Sequence, residues 1–505
     1  NLVHAFSVLG IAREAAALTD QPLRTPDAPN LTAAPAGVDN LVVVEAPDLC
    51  PRYAAVVIEG ITVGPSPSWL ARRLELAGVR PINNVVDVTN YVLIETGHPL
   101  HAFDLARLGD AELRIRRALA GERLTTLDGQ NRILSSEMLV IADATRPQAL
   151  GGLMGGADSE VRSDTTAIAL ESAYFQALPV CLTSKRLGLS TEASYRFERG
   201  ADIDAPLRAL ARACHLIEQV GAGRVRDNWI DAYPEQRPRT VVDLSVRAAG
   251  RFLGREVPAA DVDRILASLG FAIDARGDDH RRVTVPTWRA DVTREVDLYE
   301  EIARHDGYDR LPLTFPAVVQ APAAPARRLE VERAAKRLAA RAGFSEAVTF
   351  TFIEREAAAV FADATQLVAI ANPLSESFAV LRPSLLSGLI DALGHNRRRE
   401  RRDVQLYETG TRFLVDRGET RGLGLAWLGA AAGEHWSGTG RPVDFFDMKG
   451  AVEAVCQGLG LEPVDAMPAT RPWLVEGRAA EVRVGRDGEP LLVGVLGQLH
   501  PRVAE

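Results

Sequence analysis

Cysteine is scarce in this chain. Cys50, Cys181, Cys214 and Cys456 are scattered over 505 positions without a C-x-x-C pair. That spacing argues against a disulfide framework and a cysteine zinc site, and a reducing cytoplasm fits it best. No apolar run is long enough to cross a membrane as a helix. The first periodic apolar stretch carries Arg13 and Glu14, unlike a signal peptide. Positive charge is not in excess either. Lys and Arg number 58 against 67 Asp and Glu, a net of −9, so any contact with nucleic acid must use local basic patches. The densest is His395-Asn396-Arg397-Arg398-Arg399-Glu400-Arg401-Arg402, which composition alone reads as a solvated helix face. There is no tandem repeat. The chain starts at Asn1 and stops in "GVLGQLHPRVAE", where the pattern reads as the start of a helix, so further domains are expected on both sides.

The length suggests roughly three or four domains, and 47% apolar residues suit several buried cores. Residues 5–18 read as an amphipathic helix, followed by a Pro- and Ala-rich linker. An α+β region follows to about Pro234. In it "YAAVVIEGITV" and "MLVIADA" read as strands, and "PSWLARRLELAG" and "APLRALARACHLIEQVG" as helices. Residues 238–313 read as helix, helix, strand, helix. A second linker, "PAVVQAPAAPARR", precedes a last unit opened by the helix "RLEVERAAKRLAARAG".

In "PTWRADVTREVDLYEEIARHDGY", Thr293 is a candidate cap for the helix after it. Asp297, Glu300 and Glu301 fall at i, i+3 and i+4, which predicts one acidic face within reach of Asp291. Four converging carboxylates would suit Mg²⁺. A solvated face paired with Arg294 and Arg304 is the bland alternative.

"NNVVDVTNYVLIETGHPLHAFD", Asn83 to Asp104, is rich in uncharged polar groups and has no serine or cysteine nucleophile. Its V-V-x-V-T pattern favours a strand or a helix entry. His98, His101 and Asp104 lack the further soft ligands of a zinc site, and each histidine alone reads as a hydrogen-bonded core residue. "ALGGLMGGADSEV" has paired glycines that admit close backbone approach, yet no Lys-Ser/Thr of a phosphate loop follows. A tight hairpin is its plain reading. If "TTAIALESAYF" is extended, Ile168 and Leu170 face one side and Ala167, Ala169, Glu171 and Ala173 the other. That second face would be a row of methyl groups beside one carboxylate. In "LGLSTEASYRFERGAD", Ser190 and Thr191 are candidate helix caps.

Taken together, these stretches resemble the β subunits of bacterial phenylalanyl-tRNA synthetases. "NPLSESFAVLRPSLLSGLIDALGHN" and "VDFFDMKG" extend the resemblance, in the family's order, from about residue 40 to the end. It implies a multidomain α+β chain. Residues 1–39 would be a remnant of the N-terminal region plus linker, 40–236 an editing module, and 237–313 a small α+β domain with the acidic helix. Residues 320–505 would form a class II synthetase-like antiparallel-sheet core without catalytic motifs. Leu406-Tyr407-Glu408 stands where that class has Arg-x-Glu, and the Gly-rich, arginine-ending motif is not found. The family's usual N-terminal oligonucleotide-binding barrel and C-terminal anticodon domain are not seen in this stretch.

The resemblance implies an α₂β₂ enzyme in which an α subunit uses ATP to charge tRNA(Phe), with no role for a membrane. It implies an editing site that hydrolyses mischarged Tyr-tRNA(Phe). Glu171 would receive the tyrosine hydroxyl, Thr191 and Ala193 would line the pocket, and Gly155 would give it room. Thr89, Asn90 and His101 would lie near the aminoacyl ester and the terminal adenosine; His98 is not counted among them. Asp291, Asp297, Glu300 and Glu301 would hold Mg²⁺ at a site shared with α. An architectural subunit without hydrolysis, and a free-standing deacylase, are the rival readings.

Overall fold

The computed structural model describes residues 2–28, 41–317, 324–432, 435–436, 440–462, 464–485 and 490–504. Parts of both expected linkers, and the expected boundary at residue 40, lie outside these. The chain divides into two compact units, Asn1–Phe315 and Pro316–Glu505. No helix among the described residues is long and apolar enough to cross a membrane, and all four cysteines are free.

The first unit opens with helix α1 (Val8–Thr19). It begins later than the periodicity predicts, because the Ser7 side chain caps it by accepting from the Gly10 amide at 2.9 Å. Next come β1 (Val42–Val44), β2 (Arg52–Glu59), α2 (Ser68–Leu76) and α3 (Asn84–Thr96). The Asn83 side chain accepts from the Val85 and Val86 amides at the start of α3, and Gly97, at φ 81°, ends it. The asparagine pair is thus partly structural. Asn84 accepts from the Gly64 amide at 3.0 Å and donates to the Thr62 carbonyl at 2.9 Å.

Strands β3 (Leu100–Asp104), β4 (Leu113–Arg117), β5 (Arg123–Thr125), β6 (Asn131–Ile133), β7 (Leu139–Ala142), β8 (Pro147–Leu150), β9 (Met154–Gly155) and β10 (Ala167–Tyr174) follow. Helices α4 (Ala177–Leu187), α5 (Glu192–Phe197) and α6 (Ala205–Gln219) then lead to β11 (Arg224–Ala232). Among the described residues these strands form two larger sheets, ordered β11-β2-β10-β3 and β1-β4-β7-β8-β9, and the pair β5-β6. The first is covered on both sides. Alternation sends Ala54, Val56, Ile58, Ile168, Leu170 and Ala102 into one core with α2, α3 and α6. It sends Tyr53, Ala55, Val57, Ala169, Ala173 and Phe103 into a second core with β4, β7 and β8. The strand reading of "TTAIALESAYF" therefore holds, residue by residue, from Ile168 to Ala173.

The 238–313 segment has more strand than expected. It runs β12 (Val241–Ser245), α7 (Val246–Leu253), α8 (Ala259–Ser268), β13 (Ala272–Arg276), β14 (His280–Thr284) and α9 (Glu295–Asp306). Its sheet, β12-β14-β13, is antiparallel. Two of these five-residue strands, β12 and β14, bury only alternate positions, as at Val242, Leu244 and Val283, and β13 buries none. Too little apolar pattern remains for them to stand out in the sequence.

The second unit contains α10 (Arg327–Arg341), β15 (Ser345–Glu346), β16 (Phe352–Ile353), α11 (Arg355–Ala359), β17 (Val380–Leu381) and α12 (Leu386–Arg397). It continues with β18 (Val404–Leu414), β19 (Gly418–Leu428), α13 (Phe445–Gly458), β20 (Val464–Pro468), β21 (Leu474–Val484) and β22 (Leu491–Leu499). Its strands form two three-stranded sheets and one pair, β15-β18-β19, β20-β21-β22 and β16-β17, rather than one antiparallel core. β15 runs parallel to β18.

Glu408, on β18, is 3% exposed. It accepts from Arg382 at 2.7 Å and from the Thr349 hydroxyl at 2.7 Å. Arg382→Ala should leave this carboxylate buried and unpaired and lower stability by about 3–5 kcal/mol. Urea unfolding measures this, and a curve superimposable on that of the parent chain would contradict it.

Candidate functional site

The inter-sheet core holds one carboxylate that a hydrophobic interior would reject if it stood alone. Glu171 lies on β10 and is 7% exposed; its Oε2 accepts from the Tyr53 hydroxyl at 2.6 Å. Burial pushes its carboxyl up to about 7, only partly offset by the Tyr53 hydrogen bond. Tyr53, itself fully enclosed, is pushed up by burial and by the charge of Glu171.

His101 stands directly opposite Glu171 in the β10–β3 register, so both side chains lie on the same face. Its ring packs edge-on against Phe103, with centroids 4.4 Å apart. Burial lowers its pKa to about 4, leaving a neutral imidazole near pH 7. Its Nε2 is buried without a partner. Gly155, on β9 of the facing sheet, closes onto this ring. A Cβ there would lie 2.7 Å from His101 Nε2, so only glycine leaves the space.

Thr191 is the N-cap of α5, as the plain reading has it. Its hydroxyl accepts from the Ser194 amide at 3.1 Å and donates to the Leu153 carbonyl at 2.8 Å. It thereby ties α5 to the chain two residues before Gly155. Ala193 packs against the same core. Glu171, His101, Gly155, Thr191 and Ala193 thus all belong to the inter-sheet side.

Thr89 and Asn90 do not join them there. They lie on α3, which packs through Val85, Val88 and Val92 against the opposite face, that of Leu170 and Ala102. The Thr89 hydroxyl donates within its own helix, to the Val86 carbonyl at 2.7 Å. Among the described residues, no hydrogen bond links either to Glu171 or His101. His98 is 1% exposed, with its ring edge-on to Phe197, and burial lowers its pKa to about 3.

Sequence reasoning missed Tyr53. Its place depends on the β2–β10 register, which no local pattern gives: Ala55 pairs with Glu171, and Tyr53, two residues along, has the same parity.

The acidic helix is arranged differently from the expectation. Successive residues on a helix are about 100° apart, so Glu300 faces solvent while Glu301 is 2% exposed. Glu301 accepts from Arg289 at 2.7 Å and Arg304 at 2.6 Å, and Asp291 accepts from Arg289 at 2.7 and 2.9 Å. Burial is the largest influence and alone would raise both carboxyls, but the hydrogen bonds and charge of Arg289, joined at Glu301 by those of Arg304, together hold them low. Thr293 does not cap α9. Instead Asp297 reaches back to the Thr293 and Arg294 amides at 2.9 and 2.8 Å. Among the described residues no three His, Cys, Asp or Glu side chains are grouped to hold a metal. With guanidinium groups on three of the four carboxylates (Asp291, Asp297 and Glu301), and the helix start on Asp297 as well, these residues do not fit a magnesium ion. The cation among the carboxylates is Arg289, buried and 3% exposed.

Three domain families match in order along the chain. They are the B3/4 domain at residues 49–222, the tRNA synthetase B5 domain at 242–308, and the phenylalanyl tRNA synthetase beta chain CLM domain at 311–505. A phenylalanine–tRNA ligase β subunit from Geobacter metallireducens is 39% identical over 515 residues, covering 100% of this chain and 64% of that protein. One from Anaeromyxobacter dehalogenans is 44% identical over 499 residues, covering 96% and 62%. One from Pseudomonas fluorescens is 40% identical over 512 residues, covering 99% and 63%. The chain thus spans just under two thirds of these relatives' length. Among solved structures, an N-terminal fragment of the phenylalanyl-tRNA synthetase β-subunit from Pyrococcus horikoshii aligns at 13% identity with a TM-score of 0.32. That alignment covers 61% of this chain and 85% of that one, a likeness too slight to carry an argument.

Glu171→Gln isolates the buried charge. The folded chain binds this proton more tightly than the unfolded one, whose carboxyl sits near 4.5. Its contribution to stability is therefore full below about pH 4.5 and lost as pH rises through about 7. Relative to the parent, Glu171→Gln should gain up to about 3 kcal/mol between pH 5 and pH 8. Parallel urea-stability profiles at the two pH values would refute the desolvated carboxyl.

Proposed function

The chain belongs to the phenylalanine–tRNA ligase β-subunit family, and we propose that it is the subunit that supports charging of tRNA(Phe) by an α subunit and clears Tyr-tRNA(Phe) by hydrolysis. The observation that carries the hydrolytic part is the buried Glu171 carboxylate facing His101, with Gly155 clearing the space beside the imidazole. All three lie in the B3/4 domain.

Phenylalanine and tyrosine differ by one hydroxyl. A desolvated acceptor rewards the amino acid that brings the hydroxyl and leaves its own polar group unpaired with the one that does not. Glu171 Oε2 already takes the Tyr53 hydroxyl, so Oε1 is the atom for an incoming donor. Tyr53 then holds the carboxylate in place. Hydrolysis needs no protein nucleophile. Water adds to the ester carbonyl, the carbon–oxygen bond to ribose breaks, the ribose oxygen takes up a proton, and free tyrosine leaves. His101 is neutral, and its unpartnered Nε2 is suited to orient that water or the ester. Thr191, through Leu153, steadies the strand that carries Gly155.

The charging chemistry falls to the α subunit, in an α₂β₂ assembly that uses ATP. The second unit supports this division of labour. Its Glu408 is neutralised by Arg382, and Leu406 stands where class II enzymes carry an arginine to clamp ATP. A purely architectural subunit is the second reading. The Tyr53 hydroxyl already bound to Glu171 favours it, because it satisfies the carboxylate without substrate.

Deacylation of Tyr-tRNA(Phe) by the assembled enzyme separates the two. Glu171→Ala and His101→Ala should each lower the rate at least about tenfold, equivalent to ~1.4 kcal/mol of barrier. Equal rates in all three proteins would establish the architectural reading. The chain purified without α should show no phenylalanine charging in an ATP-dependent assay, and robust charging would overturn the assignment of its second unit.

A further inference from the structure

The tip of the β5–β6 hairpin, residues 127–130, folds back over β9 beside the imidazole of His101. The Leu127 amide donates to the Gly155 carbonyl at 3.0 Å, and Thr126 pairs with Gly156. The leucine side chain thereby reaches the space that Gly155 keeps clear. The point where a Gly155 Cβ would stand is 2.7 Å from His101 Nε2 and 3.2 Å from Leu127 Cδ1. Glycine, imidazole and leucine meet at one place. Leu127 is also 43% exposed, whereas Phe103, on the same imidazole, is 0% exposed. Of the three residues beside the ring (Phe103, Gly155 and Leu127), Leu127 is the one that reaches solvent.

The leucine is held there by a buried arginine. Arg132 donates from Nε to the Thr126 hydroxyl at 3.0 Å, from Nη2 to Asp128 at 2.6 Å and from Nη1 to the Leu187 carbonyl, at the end of α4, at 3.1 Å. One planar guanidinium thus fixes both neighbours of Leu127 and ties the turn to α4. A lysine ammonium, a single point on a flexible stem, cannot reproduce that fork. The Thr126 amide adds a bond to the Gln130 carbonyl at 3.0 Å, which closes the turn.

What such a wall does follows from the state of His101. The titratable groups around the ring are Glu171 on β10, Tyr53 on β2, Cys50 just before β2, and Asp128 and Arg132 on the hairpin, which pair with each other. Burial is nevertheless the one cause that lowers the imidazole pKa. A ring whose neutrality rests on burial alone depends on whatever keeps water from it. His101 Nε2 is buried without a partner, so water admitted on the leucine side would bond that nitrogen first.

We propose, on the hydrolytic reading of this site, that Leu127 is the wall that keeps bulk water from His101 and that Arg132 fixes it there, both acting as positioning residues for hydrolysis of the mischarged ester. The dry ring keeps Nε2 free for the one water that adds to the ester carbonyl. Bulk water at the same atom competes with that water and favours the protonated ring, which has no acceptor left.

Titration of the His101 ring by nuclear magnetic resonance in the full chain reads the shielding directly, with no tRNA and no dependence on hydrolysis. The ring should titrate near 4 in the parent chain and about two units higher in Leu127→Ala, where water reaches it. Leu127→Met, of similar volume, should keep the parent value. Arg132→Lys should shift it in the same direction as Leu127→Ala. In the assembled enzyme, Leu127→Ala should lose about fourfold more of its Tyr-tRNA(Phe) deacylation at about pH 5.5 than at about pH 8, with kcat rather than KM carrying the loss. A ring unshifted in Leu127→Ala overturns the wall, even if His101→Ala abolishes hydrolysis. A loss equal at the two pH values overturns the positioning role. A shifted ring together with parental rates in His101→Ala overturns the hydrolytic reading instead.

Discussion

A carboxylate held out of water between two sheets is the constraint around which the first unit is organised. Glu171 sits on a central strand, so every neighbour is fixed by the pleat: Ala55 and His101 on either side and Tyr53 one pair along. Desolvating a carboxylate is costly, and the structure offsets that with one short hydrogen bond and a shifted protonation equilibrium rather than with an arginine. This contrasts with two of the other buried acids. Glu301 and Glu408 each have a guanidinium within 2.7 Å. Those two are satisfied structural ion pairs. Glu171, by contrast, has a single side-chain partner, the Tyr53 hydroxyl.

The two-faced sheet explains how the surrounding residues divide. One face is covered by helices and the other by a second sheet, and strand parity alone sorts the side chains between them. His101 and Ala102 are adjacent in sequence and look into different cores. The polar stretch from Asn83 to Asp104 thus does two jobs. Its first half starts a helix and ties it to Thr62 and Gly64; its second half crosses under that helix and delivers an imidazole to the inter-sheet side.

Much of this was legible in the sequence. The alternation in "TTAIALESAYF" separates the two faces correctly, and Thr191 reads as a cap and is one. What could not be read were partners distant in the chain. Tyr53 lies 118 residues from Glu171, and no local pattern joins them. The acidic helix misled for a related reason. Its i, i+3, i+4 spacing is real, but a helical face spans both solvent and core, and Arg289 lies on the loop before the helix, where spacing rules say nothing. The short strands of the 238–313 segment escaped because exposed charged residues (Asp243, Asp274, Arg276 and Arg282) interrupt their apolar pattern.

The carboxylates of the acidic helix reach further than the helix itself. Arg304 bonds both Glu301 and Glu14, and Glu14 also bonds His4. Glu14 and Arg304 are 290 positions apart. During synthesis the first helix leaves the ribosome long before the arginine that completes its seat exists. Its half-buried glutamate must wait, solvated, while the two sheets assemble behind it. Closure of that loop is among the longest-range steps open to the first unit, and such steps come late and slowly. Helix α1 is made well before Arg304 and is among the last elements of the first unit to be docked.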